Sequence, residues 1–211
     1  MRKIVILGAG DNGRTVLNLL RLTGEGARVA GFADDRATGP VEGEKVLGTV
    51  SWAAAQPGVD YALGIASPAD RKAVIERLPG DAAFVSAVHP SVIVGAGVKL
   101  GRGVVLNAGV ILAHGADLRD FVLVNLASTI GHDSVLHRFV TVSPGVNCGG
   151  RVTLGEGVFA GINSCFGQGL EIGAWTKVAL GSAVSKSFPA GKVVAGNPAR
   201  VMGFADPSQP R

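Results

Sequence analysis

The stretch VNLASTIGHDSVLH, Val124 to His137, holds two of the chain's four histidines and an aspartate directly after the first of them. Histidine is the side chain whose ordinary pKa lies nearest neutrality, and an adjacent carboxylate can orient its ring and stabilise the imidazolium. His132 followed by Asp133 therefore offers both parts of a general base in two residues. A second chemistry is open to the same stretch, because His132 and His137 have an H-x-x-x-x-H spacing that a zinc site can use. The bland alternative is a set of solvated corner residues.

A second candidate lies at the other end. Gly8, Gly10 and Gly13 spell G-x-G-x-x-G, with Asn12 inside the loop and Asp34 and Asp35 about twenty residues further on. That is the form of a dinucleotide fingerprint. Its physical content is narrower: glycines let a phosphate approach the backbone at a helix N-terminus, and an acidic residue ending the second strand can accept hydrogen bonds from a ribose or base.

These residues need elements to hold them. Lys3 to Leu7 is a continuous apolar run that reads as a buried parallel strand, followed by Val16, Leu17, Leu19, Leu20 and Leu22 at helical spacing. Arg28 to Asp35 and Val59 to Ala66 read as further strands, and Pro68 opens a helix to Leu78. Residues 1–82 are thus expected to form a Rossmann-like α/β domain. Its pattern supplies one mononucleotide-binding half of the two a dinucleotide fold uses, so a single nucleotide or nucleotide sugar fits better than NAD.

From residue 83 to 204 the pattern changes. Steps of six from Val88 reach Val94, Leu100, Leu106, Leu112, Leu118, Val124, Ile130, Leu136, Val142, Cys148, Leu154, Ala160, Phe166, Ile172, Val178 and Val184, all apolar. The residue after each is often glycine, and four residues on stands a small or β-branched side chain. Six is no multiple of 3.6, so a helix is excluded, and each short strand must turn a corner and stack on its neighbours as a parallel β-helix. The pattern resembles the hexapeptide acyltransferase superfamily, whose coils are prisms of three hexapeptides each; on that model Val88 to Val184 makes a little over five coils, with residues eighteen apart stacked at about 4.8 Å. His132, two positions after Ile130, then faces outward at a corner, and His114 occupies the same column one coil earlier. No residue breaks the period, so no loop is inserted. Pro189 ends it, and 205–211 are expected to be a disordered tail.

The bulk numbers narrow the partners. Twenty basic and sixteen acidic residues leave a net charge of +4 with no long run of one sign, which favours small anionic ligands over nucleic acid. Cys148 and Cys165 follow no metal or disulfide spacing. The apolar run after Met1 is too short for a signal peptide, and no stretch is long enough to span a bilayer. A cytoplasmic chain without membrane insertion is expected.

The hexapeptide grammar [LIV]-G-x-x-[STAV]-x resembles the hexapeptide acyltransferase superfamily, whose coils are left-handed. More specifically, GAGDNG, GFADD, HPS, NLASTIGHDSVL, GVNCGGRVTLGEGVFAGINSC and GNPARV resemble the NeuD- and PglD-related sugar acetyltransferases, the bacillosamine and perosamine N-acetyltransferases among them. The resemblance implies an α/β domain that binds a UDP-, GDP- or dTDP-linked amino sugar. It also implies a homotrimer of left-handed β-helices holding acetyl-CoA between subunits, and a His-Asp or His-Glu general base. Carried onto this chain, the base is His132 and its partner Asp133. Asn125, Thr141, Gly150, Ile162, Gly181 and Pro198 fall at cofactor-lining positions, and Gly8, Gly10, Asn12, Gly13, Asp34 and Asp35 at the nucleotide sugar. Two positions depart from the family pattern: Asn12 stands where a histidine is common, and Thr141 where a second histidine often contacts the acetyl-CoA end.

O-acetylation of sialic acid or another sugar hydroxyl would use the same base, and a silent nucleotide-sugar-binding trimer needs none. A zinc hydrase of the γ-carbonic anhydrase type shares the prism, but its third ligand sits two coils upstream, where this chain has Ala96. No metal is therefore expected.

Overall fold

The computed structural model describes residues 1–205, so nearly all of the segment expected to be a disordered tail lies outside the described residues. Strand β1 (Ile4–Leu7), helix α1 (Asp11–Leu22), β2 (Val29–Ala33), β3 (Val46–Gly48), α2 (Val50–Ala54), β4 (Asp60–Leu63), α3 (Pro68–Ile75) and β5 (Ala83–Phe84) form an α/β unit. Its five strands run parallel in the order β3-β2-β1-β4-β5, so the chain reverses direction across the sheet beside β1. Sequence periodicity missed β3 and α2, which are short and only partly apolar, and β5 carries the sheet two residues past 82. Ser67 caps α3 by accepting from the Asp70 amide at 3.3 Å, with Pro68 at the first turn.

The remainder is a parallel β-solenoid. Seventeen two-residue strands, β6 (Ala87–Val88) to β22 (Ala183–Val184), distribute over three faces, and from β6 to β19 each pairs with the strand eighteen residues on, as Ile111 with Thr129 and Thr129 with Asn147. The first face runs through Ala87, Val105, Leu123 and Thr141, the second through Ile93, Ile111, Thr129 and Asn147, and the third through Lys99, Asp117 and Val135. An antiparallel hairpin, β23 (Lys192–Ala195) and β24 (Arg200–Phe204), closes the C-terminal end.

From Leu106 to Val184 every sixth side chain is buried, and the residues four further on, such as Val110, Ser128, Ser134 and Val152, share that interior. Of the earlier positions, Val88 is half-buried and Val94 and Leu100 are 50% and 42% exposed. They belong to the first coil, which has no coil beneath it to cover an inward residue.

The two parts share their cores. α1 packs Val16, Leu17 and Leu20 into one cluster with Ala87, Val105 and Leu123 of the first face, and Leu63 and Tyr61 of the α/β sheet cluster with Phe121 and Phe139 at a solenoid corner. Between these clusters lies Arg71 of α3, 1% exposed. Its guanidinium donates to Phe121 O (3.0 Å), Ile65 O (2.8 Å), Ala66 O (3.1 Å), Phe139 O (2.7 Å), Val140 O (3.2 Å) and Thr141 Oγ1 (3.0 Å). Burial pulls its pKa down to about 9, yet the ring of oxygens keeps a cation where no carboxylate of the described residues reaches it. No helix among the described residues is long and apolar enough to cross a membrane.

Replacing Arg71 by Met keeps volume but strands several buried carbonyls. Stability should fall by roughly 3 kcal/mol or more, and the melting temperature by about 6–12 °C. An unchanged melting curve by circular dichroism would show that these carbonyls find other donors.

Candidate active site

A triangular coil closes only if its corners bend sharply, and here the bend is made by one residue of left-handed conformation every sixth position from Gly97 to Gly181. Most are glycine. Asp133 is one that is not, with φ of 54°. Aspartate tolerates this region when its carboxylate bonds locally, and here it does. Asp133 Oδ2 lies 2.9 Å from His132 Nδ1, at the corner between the second and third faces.

The direction of that bond follows from charge. His132 lowers the carboxyl pKa of Asp133 through this hydrogen bond, against a smaller burial effect, with further help from the charges of His132, His114 and Arg151. An ionised carboxylate only accepts, so Nδ1 carries the proton and Nε2 presents its lone pair. Both side chains are open to solvent, at 36% and 55% exposure, so a substrate can reach them.

The column supports the ring from both sides. His114, one coil below, stacks against His132 with centroids 5.2 Å apart and planes 7° from parallel. One coil above stands Gly150, where a Cβ would lie 2.2 Å from Nε2. Its φ is not in the left-handed region, so it is the imidazole, not the backbone, that requires glycine there. His114, His132 and Asp133 bring possible metal-ligating atoms within 4.8 Å of one another. His137 is not in this group.

Other expected residues lie elsewhere. Ile162 and Gly181 occupy the corner between the first and second faces, where Gly181 N donates to Ile162 O at 2.7 Å. Ile162 and Leu180 are 50% and 77% exposed and line an open apolar groove of about 380 Å³ with Pro144, Phe159, Lys177 and Val193. Asn125 is at the same corner, its Oδ1 accepting from Leu126 N (2.8 Å) and Asn107 Nδ2 (3.2 Å). Pro198 sits in the β23–β24 turn, whose Gly196 O and Ala199 N bond Ala183 on the second face. Within one chain the second face separates Ile162 and Gly181 from the His132 corner.

Thr141 requires a correction. It was expected at the acetyl-CoA end of the site, but it is 2% exposed under the α/β unit, donating to Ala66 O at 2.8 Å and accepting from Arg71. A short side chain on the covered first face cannot reach past the domain that buries it.

In the α/β unit, Gly8, Asp34 and Asp35 line a crevice of about 290 Å³ with Arg36, Val50, Ile65 and Asp70, at the carboxyl ends of β1, β2 and β4. Gly13 has no room for a Cβ, which would meet Gly8 O at 2.1 Å, so the loop folds tightly against α1. Gly10 opens α1 with clear space before it. Both aspartates are engaged by the protein itself, contrary to a simple role as ribose acceptors. Asp34 accepts from the amides of Ala9, Arg36 and Ala37; burial raises its pKa, and these three bonds outweigh that to hold it low. Asp35 accepts from Arg77 and from Val50 N at the start of α2, and both lower its pKa. Asn12 Nδ2 is buried without a partner in the described residues.

Sequence reasoning left Arg71 and Leu180 unremarked. Nothing in an arginine inside an amphipathic helix signals burial, whereas Leu180 lies eighteen residues beyond Ile162 and was reachable by the same step that finds His114.

Residues 3–78 match the family model for the PglD N-terminal domain. Over 210 residues the chain is 32% identical to GDP-perosamine N-acetyltransferase of Escherichia coli O157:H7, covering 93% of this chain and 95% of that one. Among solved structures, the acetyltransferase domain of PglB from Neisseria gonorrhoeae in complex with acetyl coenzyme A superposes with a TM-score of 0.88 at 30% identity, over 95% of this chain and 99% of that one. PerB from Caulobacter crescentus in complex with CoA and GDP-perosamine gives a TM-score of 0.87 at 28% identity, over 96% and 98%.

Gly150→Ala tests the packing of the column. The added methyl must push the His132 ring away, so histidine-selective nitrogen NMR should show the Nδ1 proton signal lost or moved while the melting temperature stays within about 2 °C. An unmoved signal would mean that the ring does not rest against residue 150.

Proposed function

Because this chain belongs to the PglD-like family of acetyl-CoA-dependent sugar N-acetyltransferases, we propose that it acetylates the amino group of a nucleotide-linked amino sugar with His132 as general base. The observation that carries this reading is the His132–Asp133 pair, with Nδ1 bonded to the carboxylate and Nε2 lying against Gly150.

The chemistry asked of the pair is limited. As the sugar amine attacks the thioester carbonyl carbon, its proton passes to Nε2, and the imidazolium is stabilised by ionised Asp133. The C–S bond then breaks, and the same proton neutralises the departing CoA thiolate. The Gly150 amide donates to no backbone carbonyl of the described residues and is the candidate to bond the developing oxyanion. Cys148 takes no part: it is buried, and burial pushes its thiol pKa up to about 12.

The groove at Ile162 and Leu180 suits the pantetheine arm of acetyl-CoA, because it is apolar and open along one side. It lies at a different corner from His132. A homotrimer would set the groove corner of one copy against the His132 corner of the next and so assemble a complete site from two halves. In the α/β unit, the glycine loop, the open start of α1 and the unpartnered Asn12 amide fit the diphosphate and sugar of a UDP-, GDP- or dTDP-linked acceptor. Both substrates are cytoplasmic metabolites, and we assign the enzyme to that compartment.

Thiol release from acetyl-CoA, measured against a panel of these amino sugars, tests the reaction. His132→Ala should lower kcat by about 10²–10⁴-fold, and full activity would end the base assignment. Leu180→Asp should raise the KM for acetyl-CoA by roughly tenfold or more, since it places a charge on a surface that buries leucine. An unchanged KM would move the cofactor to another groove.

A further inference from the structure

The hydrogen bond from His132 Nδ1 to Asp133 fixes one edge of the imidazole, but it leaves the ring free to tilt about the Nδ1···Oδ2 line. Gly150 above meets only the Nε2 edge of the ring, through its backbone, and offers no side chain to the ring face. The opposing surface is the ring of His114, face to face with His132 at 5.2 Å and 7°. His114 is itself held by the ladder: its carbonyl accepts from Asp133 N at 3.0 Å, the same backbone step that ties His132 O to Arg151 N at 2.7 Å in the next coil.

We propose that His114 is a positioning residue of the acetyltransferase: its imidazole is the floor on which the His132 ring lies, keeping Nε2 in the space that Gly150, without a side chain, leaves for it. This rests on the reading of His132 as the base. The column is asymmetric in a way that serves this purpose. A near-parallel ring lies below the base, with centroids 5.2 Å apart, and the absent side chain above leaves the space that the Nε2 edge of the base fills. Two stacked rings at this separation lie within the range in which π systems attract, and the contact costs no hydrogen bond of the Asp133 pair. His114 is exposed, so its substitution removes the floor without opening a core cavity.

The test compares His114→Ala, His114→Phe and His132→Ala in the full-length enzyme, by steady-state thiol release and by histidine-selective nitrogen NMR. His114→Ala should lower kcat by roughly tenfold, the scale of a displaced catalytic group, with both KM values within about twofold of the parent. Phe supplies a flat ring without ring nitrogens and should restore most of kcat, together with the Nδ1 proton signal of His132. Parental kcat in His114→Ala overturns the proposal, and so does a loss that Phe does not restore. His132→Ala separates the two ideas. If it is inactive while His114→Ala is unaffected, only the role of His114 falls; if it is fully active, the base assignment falls first.

Discussion

Every coil of this solenoid must reproduce the backbone of the coil beneath it. Its strands are two residues long and cannot hold together alone, so they pair with strands eighteen residues away on the same face. Inward side chains meet their counterparts at the same interval, and any inserted residue would throw all later coils out of register. The active-site column inherits this rule. His114, His132 and Gly150 are adjacent because they are eighteen apart, and Asp133 can face His132 because its position must turn the corner in a left-handed conformation that aspartate tolerates.

A second interaction decides what the solenoid carries. Arg71 spends its buried charge on oxygens from both parts of the molecule, chiefly carbonyls of the Phe121 and Phe139 corners. The apolar clusters on either side of it continue across the junction, so the α/β unit is seated on the first face rather than tethered. That seating covers Thr141 and leaves Phe159 and its neighbours, later on the same face, as an open groove.

The consequence is a molecule whose functional surfaces lie on separate corners. The His132–Asp133 pair stands between the second and third faces and the apolar groove between the first and second, while the glycine loop opens in a crevice lined by the α/β unit alone. A triangular prism cannot bring two of its own corners together. Within one copy the His132–Asp133 pair and the exposed Ile162 and Leu180 therefore stay on separate corners.

The period of six made the solenoid legible, because burial of one residue per hexapeptide leaves an unbroken apolar register from Val88 to Val184. The same register put His132 and Asp133 on an outward corner with His114 in their column, and the glycine loop showed where α1 begins. It could not show that Val94 and Leu100 stay exposed, since an end coil has the sequence of a middle one. Nor could it show that Asp34 and Asp35 bond their own protein, that Thr141 is buried, or that Arg71 joins the two parts. Those depend on contacts between segments far apart in the chain, such as Arg71 with Phe139, for which local pattern holds no record. Periodicity specifies what a residue meets in its own column; only the docking of one domain on the other decides which columns remain open to a substrate.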